Sequence, residues 1–296
     1  MMMYRLIMIV LVFWVFTVNA QKSKLVADGA TLQRVATGYA FTEGPAVNPE
    51  GKVYFTDQPN DRIYVWEQGK GVSLFLEGTG RSNGLYFDNL GNLLACADEK
   101  NELWEFDRLK NHKVILTDFE GKKLNGPNDL WVDQKGGIYF TDPFYKRKYW
   151  DREEKEIEAE RVYYLEPGYG EVSVVADGFV RPNGIVGTPE GKRLYVADIG
   201  DKKTYTFKIE EDGALSEKQL FAEMGSDGMT IDNEGNVYIT GKGVTVFNKK
   251  GKIIEQIDVD ENWTANICFG GPDQSVLFIT ASKSVYTLDM KVKGVR

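Results

Sequence analysis

The feature of this sequence that most restricts its fold is a pattern of two adjacent apolar runs that occurs six times. Each copy reads as a short strand, a turn and a second strand. The turn position recurs at intervals of 40, 45, 55, 44 and 39 residues. The copies are EGPAVNPEGKVYFTD, SNGLYFDNLGNLLACAD, PNDLWVDQKGGIYFTD, PNGIVGTPEGKRLYVAD, SDGMTIDNEGNVYITG and ANICFGGPDQSVLFIT. Their turn positions are Gly51, Gly91, Gly136, Gly191, Gly235 and Gln274.

A repeat of this length leaves room for two further strands after each pair, such as VSLFLE or YTFKI. Six four-stranded units predict an all-β fold, a six-bladed β-propeller, in which radial repetition protects the sheet edges. The segment LQRVATGY precedes the first copy and is expected to complete the last blade. Two stacked sandwiches are the alternative, but they do not require six equivalent copies. We therefore expect one propeller domain over residues 21–296.

The position eight residues before each turn carries a carboxylate or a carboxamide in all six copies. Asp, Glu and Asn make up about a fifth of the chain, so a chance match at six positions is expected below about once in ten thousand sequences. A preference for tight turns accounts for only the three copies with Asn-Gly or Asp-Gly. The six residues are Glu43, Asn83, Asn128, Asn183, Asp227 and Asn266.

In a propeller the innermost strands run parallel around a central channel, so residues at one register form a ring at its mouth. Six oxygen-bearing side chains that converge there would repel one another or stay hydrated unless a cation lay among them. Oxygen ligands without sulfur or imidazole favour Ca²⁺, with Mg²⁺ or Mn²⁺ as alternatives. Glu43 and Asp227 would balance the two charges of the ion.

The motifs EGP, NGPND, IYFTDP, RPNGI and SDGMTID follow one another at blade spacing. In this order they resemble the senescence marker protein (regucalcin), gluconolactonase and luciferin-regenerating enzyme family, most closely its bacterial gluconolactonase-like branch. The resemblance covers nearly the whole mature chain and implies a six-bladed, calcium-dependent lactone hydrolase.

The resemblance also implies roles for the ring residues. It implies metal ligation by Glu43, Asn128, Asn183 and Asp227. Asn83 and Asn266 are not usual ligands in the family and are expected to contact substrate or ordered water, and Asn128 is expected to contact substrate as well. Regucalcin-type members carry an arginine two residues before the position of Asn128. This chain has Gly126 there, so the resemblance does not extend to sugar recognition by that arginine.

Hydrolysis of a lactone needs a base as well as a cation that polarises the carbonyl. Asp227 is the expected base, because a carboxylate at the edge of the ring can contact both the ion and the attacking water. Glu43 is the second candidate. Asp129 is interpreted as a residue behind the ligands or in a turn.

Other hydrolytic chemistries are restricted by the histidine count. His112 is the only histidine and lies in the polar stretch DRLKNHKVIL, so a His–His dyad of the paraoxonase type is excluded. A serine hydrolase is disfavoured, because no G-x-S-x-G motif occurs. Two alternatives stay open: an organophosphate or phosphotriester hydrolase on the same ring, and a calcium-stabilised propeller that binds a ligand without turnover.

Acidic residues also follow the second strand of four copies, at Asp57, Asp98, Asp142 and Asp198. We expect these four to be structural and to bind neighbouring loops. The long insertion PFYKRKYWDREEKEIEAER after Asp142 leaves a strand on the side of the mouth. It is expected to form a lid whose Phe144, Tyr145, Tyr149 and Trp150 wall the substrate pocket, with a solvated loop as the alternative.

The first twenty residues predict a cleaved secretory signal. Arg5 precedes an apolar run from Leu6 to Val18, followed by small residues before Gln21. The run is shorter than the roughly 20 residues that a transmembrane helix needs. The expected location is therefore periplasmic or extracellular.

The net charge restricts the class of binding partner, and the positions of the cysteines predict their burial. A formal net charge of −8 argues against nucleic acid or an anionic membrane as a partner and favours a small solute or a cation. Cys96 and Cys268 each lie in an apolar run and are expected to be buried thiols. The oligomeric state is not predicted by any of these features.

Overall fold

The structure, a computed structural model, describes residues 23–295. Within that range the chain forms six four-stranded antiparallel sheets, a two-stranded sheet and one 3-10 helix, Gln58–Asn60. The sheets are the blades of a six-bladed β-propeller, so the predicted fold class is confirmed. The predicted signal peptide lies outside the described residues. No helix in the described range is long and apolar enough to cross a membrane.

The strands follow one another from the channel outwards in blades 1 to 5. The first strand of the chain is β1 (Gln33–Thr37). Blade 1 contains β2 (Thr42–Val47), β3 (Val53–Asp57), β4 (Arg62–Glu67) and β5 (Gly71–Glu77). Blade 2 contains β6 (Ser82–Phe87), β7 (Leu93–Ala97), β8 (Glu102–Phe106) and β9 (His112–Leu116).

A short hairpin of β10 (Asp118–Phe119) and β11 (Lys122–Lys123) leads into blade 3. Blade 3 contains β12 (Leu130–Val132), β13 (Ile138–Asp142), β14 (Glu160–Leu165) and β15 (Val172–Phe179). Blade 4 contains β16 (Pro182–Gly187), β17 (Arg193–Asp198), β18 (Lys203–Ile209) and β19 (Leu215–Ala222).

Blade 5 contains β20 (Met229–Ile231), β21 (Val237–Gly241), β22 (Gly243–Phe247) and β23 (Ile253–Ile257). The last three strands are β24 (Thr264–Gly270), β25 (Val276–Ala281) and β26 (Ser284–Asp289). Blade 6 has the order β1-β26-β25-β24, so the N-terminal strand forms its outer edge. This pairing closes the ring, as predicted from LQRVATGY.

The turn between the first two strands of each blade fixes their register. All six turn positions have positive φ, and Gln274 adopts φ 61° where the other five copies have glycine. In blade 2 the side chain of Asp88 accepts hydrogen bonds from the backbone N–H groups of Leu90 and Asn92. A residue in the left-handed region and an Asx turn together reverse the chain in a few residues. These turns lie at one end of the channel. The inner strands begin at the opposite end, which we call the mouth.

Neighbouring blades pack on one another through large apolar side chains. Trp131 of blade 3 lies in one buried cluster with Leu194 of blade 4, and Phe55 of blade 1 lies in another with Phe278 of blade 6. Burial of one such side chain contributes roughly 1.5–3 kcal/mol. Packing between blades thus fixes the distances between inner strands and, with them, the width of the channel.

The two cysteines lie inside blades and the histidine lies on an outer strand. Cys96 and Cys268 are buried free thiols, as expected. His112 is exposed and begins β9, the outer strand of blade 2. Its ring stacks on Trp104 with 4.1 Å between centroids.

Candidate metal centre and active site

All six predicted ring residues lie at or just before the start of an inner strand, around the mouth. Five of them are buried, and Asp227 is partly exposed towards the mouth. Asn128 and Asp227 each lie two residues before the first residue of their inner strand, in segments without regular secondary structure. The six residues therefore occupy equivalent places at the start of their inner strands.

Threonine hydroxyls on the second strands hold the ring segments of the following blades. Thr56 Oγ1 donates to the carbonyl oxygen of Asn83 at 3.1 Å, and Thr141 Oγ1 donates to that of Asn183 at 2.8 Å. These threonines are buried and lie one residue before the acids that end their strands. Blades 1 and 3 thus position the ring residue of the blade that follows.

Close packing of inner strands requires glycine beside the ring. A Cβ atom on Gly44 would lie 2.0 Å from the carbonyl oxygen of Asn83, and one on Gly84 would lie 2.5 Å from that of Asn128. Gly84 also donates its N–H to the Asn128 carbonyl at 2.8 Å. The glycines therefore let three successive blades approach closely enough for one ligand to contact all of them.

Both carboxylate oxygens of Asp227 accept hydrogen bonds. Its Oδ1 accepts a hydrogen bond from Nδ2 of Asn183 at 2.8 Å, and its Oδ2 accepts one from Nε1 of Trp263 at 2.6 Å. The same Asn183 amide group contacts the hydroxyl of Tyr145 at 2.9 Å. These contacts fix the orientation of the Asp227 carboxyl group.

The electrostatics of the mouth favour a cation. Burial and the nearby Asp227 raise the pKa of Glu43 well above its usual range. Burial also raises the pKa of Asp227, against the hydrogen bonds from Trp263 and Asn183 and the charge of Arg147. Two acids that face each other with little access to water resist simultaneous ionisation unless a positive charge joins them.

Asp129 lies one step further along the channel than the ring. Its Oδ2 accepts a hydrogen bond from Nδ2 of Asn266 at 3.3 Å, and its Oδ1 accepts one from the backbone of Leu130 at 3.0 Å. Burial raises its pKa to about 7. A cavity of about 400 Å³ begins at Asp129 and Asn266 and continues between the inner strands towards the opposite end. Asp129 therefore faces the channel interior.

Three of the four acids that end the second strands bind neighbouring loops, as expected. Asp57 accepts the N–H groups of Ala40 and Phe41, and Asp142 accepts those of Asn125 and Gly126. Asp198 does the same for residues 180 and 181.

Asp98 is the exception among these acids. In blade 2 the corresponding loop is held by Asp61, whose Oδ1 accepts the N–H groups of Thr79 and Arg81. Asp98 is left to contact Gln58 and the insertion that follows Asp142. Its carboxylate accepts hydrogen bonds from Gln58 and Tyr149 and pairs with Nε of Arg147 at 3.1 Å.

The insertion covers one side of the mouth. Trp150 is buried and donates Nε1–H to the carbonyl oxygen of Asp98 at 2.7 Å, and its ring packs on Phe144. Arg152 donates to the carbonyl oxygen of Leu124 at 2.7 Å. The segment is therefore anchored to blades 2 and 3 and is not a free solvated loop, and it delivers Tyr145 to the ring.

Residues 41–283 match the family model described as the SMP-30/Gluconolactonase/LRE-like region. The chain belongs to this family. Among curated proteins, a gluconolactonase from Zymomonas mobilis is 26% identical over 294 residues, with 89% of this chain and 82% of that protein covered.

Solved structures of the SMP-30/gluconolactonase family superpose on the propeller. A gluconolactonase from Xanthomonas campestris aligns with TM-score 0.83 at 28% identity, covering 90% of this chain and 91% of that one. Regucalcin from Agrobacterium tumefaciens, described as a calcium-binding protein, aligns with TM-score 0.75 at 19% identity, covering 90% and 95%. The similarity to regucalcin shows only that the two chains share a fold.

The donor atoms of this family member fit a hard divalent cation. Oδ1 of Asn183 is buried without a hydrogen-bond partner in the described structure. The amide nitrogen of the same side chain donates to Asp227, whose carboxyl group interacts with that of Glu43. No three His, Cys, Asp or Glu side chains in residues 23–295 are grouped as metal ligands, so an ion here has to use the carboxamide oxygens as well. Asn128 lies at the level of the ring to supply one.

Two contributors to the site were missed or given a minor role by the sequence reasoning. Trp263, which binds Asp227, stands three residues before Asn266 in ENWTAN, and no repeat marks it. The sequence pattern assigns Asp129 to a place behind the ligands or in a turn, yet Asp129 lines the channel cavity. Its position next to Asn128 was the available signal.

Proposed function

We propose that this protein hydrolyses a lactone at the channel mouth, with a divalent cation, calcium in the first place, held by Glu43, Asn128, Asn183 and Asp227. The observation that carries the proposal is the pairing of two facing carboxyl groups with the unpartnered Oδ1 of Asn183. Relatives of this chain support the reaction class: one is named a gluconolactonase, and another, 24% identical over 266 residues, is named a pentonolactonase, from Haloferax volcanii.

A cation bound there would polarise the lactone carbonyl and stabilise the negative oxygen that forms on attack by water. Asp227 accepts the proton of the attacking water. Its two hydrogen bonds, from Asn183 and Trp263, hold one lone pair of each oxygen and fix the carboxylate plane. Glu43 supplies the second negative charge of the ligand set. Asn83 and Asn266 lie at the same level and orient the hydroxyl groups of the substrate.

The experiment is an assay of D-glucono-1,5-lactone hydrolysis by the purified protein, before and after treatment with a chelator and again after calcium is returned. The proposal expects hydrolysis well above the spontaneous rate, loss on chelation and recovery with calcium. Spontaneous opening of the lactone is measured with Asp227→Ala protein under the same conditions. Hydrolysis that survives complete removal of divalent ions would contradict the role of the cation.

Two other functions are compatible with the same ring. An organophosphate hydrolase would place a phosphoryl oxygen where the lactone carbonyl is proposed to lie, and a phosphotriester panel separates this reaction from lactone opening. A calcium-stabilised binding propeller would retain the ion and its thermal stabilisation but show no turnover of either class. The names of the relatives favour the lactone.

Export of the mature chain is also proposed, from the apolar run of residues 6–18. N-terminal sequencing of the protein recovered from the producing cells tests it. Cleavage before Gln21 is expected, and an intact N-terminus at Met1 in all of the protein would contradict it.

A further inference from the structure

We propose that the substrate of this site carries an anionic group, a carboxylate or a phosphate, at the end of the molecule opposite the lactone carbonyl. The inference rests on the proposed lactone hydrolysis and adds a substrate class to it. It is carried by two arginines, Arg147 and Arg181, which lie on the wall of the mouth beside the ring.

Both arginines contact the same tyrosine. The guanidinium carbon of Arg181 lies 5.0 Å from the centroid of the Tyr145 ring, and that of Arg147 lies 5.4 Å from it. The hydroxyl of this ring is 2.9 Å from the amide nitrogen of Asn183. The two cations are therefore about one aromatic ring away from the place where the lactone carbonyl is proposed to bind.

The position of Arg147 is fixed by a buried acid. Its Nε pairs with Oδ2 of Asp98 at 3.1 Å, and the Asp98 side chain is only 4% exposed, whereas the Arg147 side chain is 26% exposed. The hydrogen bond to that carboxylate is made through Nε. Asp98 is free to hold Arg147 because Asp61 binds the loop of blade 2 in its place. The fold thus builds a support for this arginine.

Arg181 has no acidic partner among the described residues. Its backbone N–H donates to Asp198, but its guanidinium forms no salt bridge within residues 23–295 and lies over the ring of Tyr145. An arginine that stacks on an aromatic ring keeps its donors available in the ring plane. A guanidinium group can bind a carboxylate or a phosphate through two parallel hydrogen bonds.

The overall negative charge of the protein shows that the two arginines are a local feature of the mouth. The chain has a net charge of −8, and the ring itself is acidic, so positive charge at the mouth is not a general property of the surface. Arg81 also lies on this side, over the ring of Tyr149, and pairs with Glu99 at 3.6 Å, as Arg147 pairs with Asp98. Among the described residues, Arg181 is therefore the group at the mouth best placed to bind an anionic end of a substrate, and Arg147 lies on the same tyrosine ring.

The test uses lactone pairs that differ only in the distal group. D-galactaro-1,4-lactone and D-galactono-1,4-lactone differ by a carboxylate in place of a hydroxymethyl group. The 6-phosphate of D-glucono-1,5-lactone and the unphosphorylated lactone form the second pair, which distinguishes phosphate from carboxylate. For each pair kcat/KM is measured on the calcium-loaded protein at low and at high salt, and the discrimination is the ratio of the two values.

The inference expects a ratio of about ten or more in favour of one of the anionic lactones, falling as salt screens the charges. Arg181→Gln should lower that ratio at least about fivefold, mainly through KM, and Arg181→Lys should retain most of it. Arg108→Gln removes an exposed arginine at the opposite end of the channel and should leave both values unchanged.

A ratio near one for both pairs, or a ratio that Arg181→Gln does not change, would overturn the inference while the proposed hydrolysis stands. If no lactone is hydrolysed, the proposed function fails. Isothermal titration calorimetry then compares the affinities of D-galactarate and D-galactonate, which measures the preference for the second carboxylate without turnover. Equal affinity for the two acids, or a preference that Arg181→Gln leaves intact, would overturn it there as well.

Discussion

Asn183 and Asp227 are joined by a hydrogen bond of 2.8 Å from Nδ2 to Oδ1, and the remaining amide oxygen of Asn183 is buried without a partner. One side chain thus orients the proposed base and presents an unused oxygen next to it. An unsatisfied buried oxygen costs roughly 1–3 kcal/mol, and coordination of the proposed cation would remove that cost.

Replacement of Asn183 by alanine should therefore weaken calcium binding more than tenfold, because it removes one ligand oxygen and the donor that orients Asp227. Isothermal titration calorimetry measures the change. Asn111→Ala is the matched control, since Asn111 lies in an exposed turn far from the mouth and should bind calcium like the unaltered protein. Equal affinity in both variants would exclude Asn183 from the ligand set.

The two ring carboxylates should respond differently to removal of charge. Asp227→Asn keeps an oxygen beside the ion but cannot accept the proton of water, so kcat should fall by roughly 10²–10⁴ even at saturating calcium. Glu43→Gln should weaken calcium binding and recover more of its activity when calcium is saturating. Recovery of near-normal kcat by both variants would mean that neither acid is the base.

Removal of the Trp263 indole N–H should change the pH dependence of hydrolysis. A carboxylate that accepts a hydrogen bond is stabilised in its charged form, and this bond opposes the rise in the Asp227 pKa caused by burial. In Trp263→Phe that pKa rises further. Because the base must be ionised, the acid limb of the kcat/KM profile should move to higher pH.

Trp104→Phe provides the control for this comparison. Trp104 donates Nε1–H to Glu102 in blade 2 at 2.7 Å, away from Asp227. The pH profile of kcat/KM for Trp104→Phe should coincide with that of the unaltered protein. A Trp263→Phe profile that also coincides would show that Asp227 is not the group titrating in the acid limb.

The repeat predicted most of the fold because each copy encodes the same local structure. A turn residue at a fixed register and two apolar runs specify a hairpin, and six hairpins specify the number of blades. Even Gln274 obeys this rule, since it adopts the left-handed conformation of its glycine counterparts. The ring at one level then follows from the parallel inner strands.

Contacts between different copies could not be predicted in this way. Trp263 reaches Asp227, and Tyr145 reaches Asn183, from segments outside the repeat. The exchange of roles between Asp61 and Asp98 is similarly hidden, because only the packed loops show which acid lies near which N–H groups. Such contacts depend on chain paths that no local pattern specifies.

The close approach of blades 1 and 2 gives a prediction about stability. Gly44→Ala should destabilise the protein by several kcal/mol, because its Cβ atom would lie 2.0 Å from the Asn83 carbonyl oxygen and its φ is 37°. Gly178→Ala is the control: φ is 72° and no atom lies within 4 Å of its Cβ position, so only the backbone cost of about 1 kcal/mol applies. Chemical denaturation of both variants measures the difference. Equal losses would show that blade contact does not restrict Gly44.

One divalent cation is proposed to bind at the mouth between Glu43, Asn128, Asn183 and Asp227. Anomalous diffraction from crystals soaked in calcium, and then in manganese, locates such an ion. A single strong peak is expected within about 2.6 Å of an oxygen from each of the four side chains. No peak at the mouth after soaking, or a peak held by other residues, would contradict it.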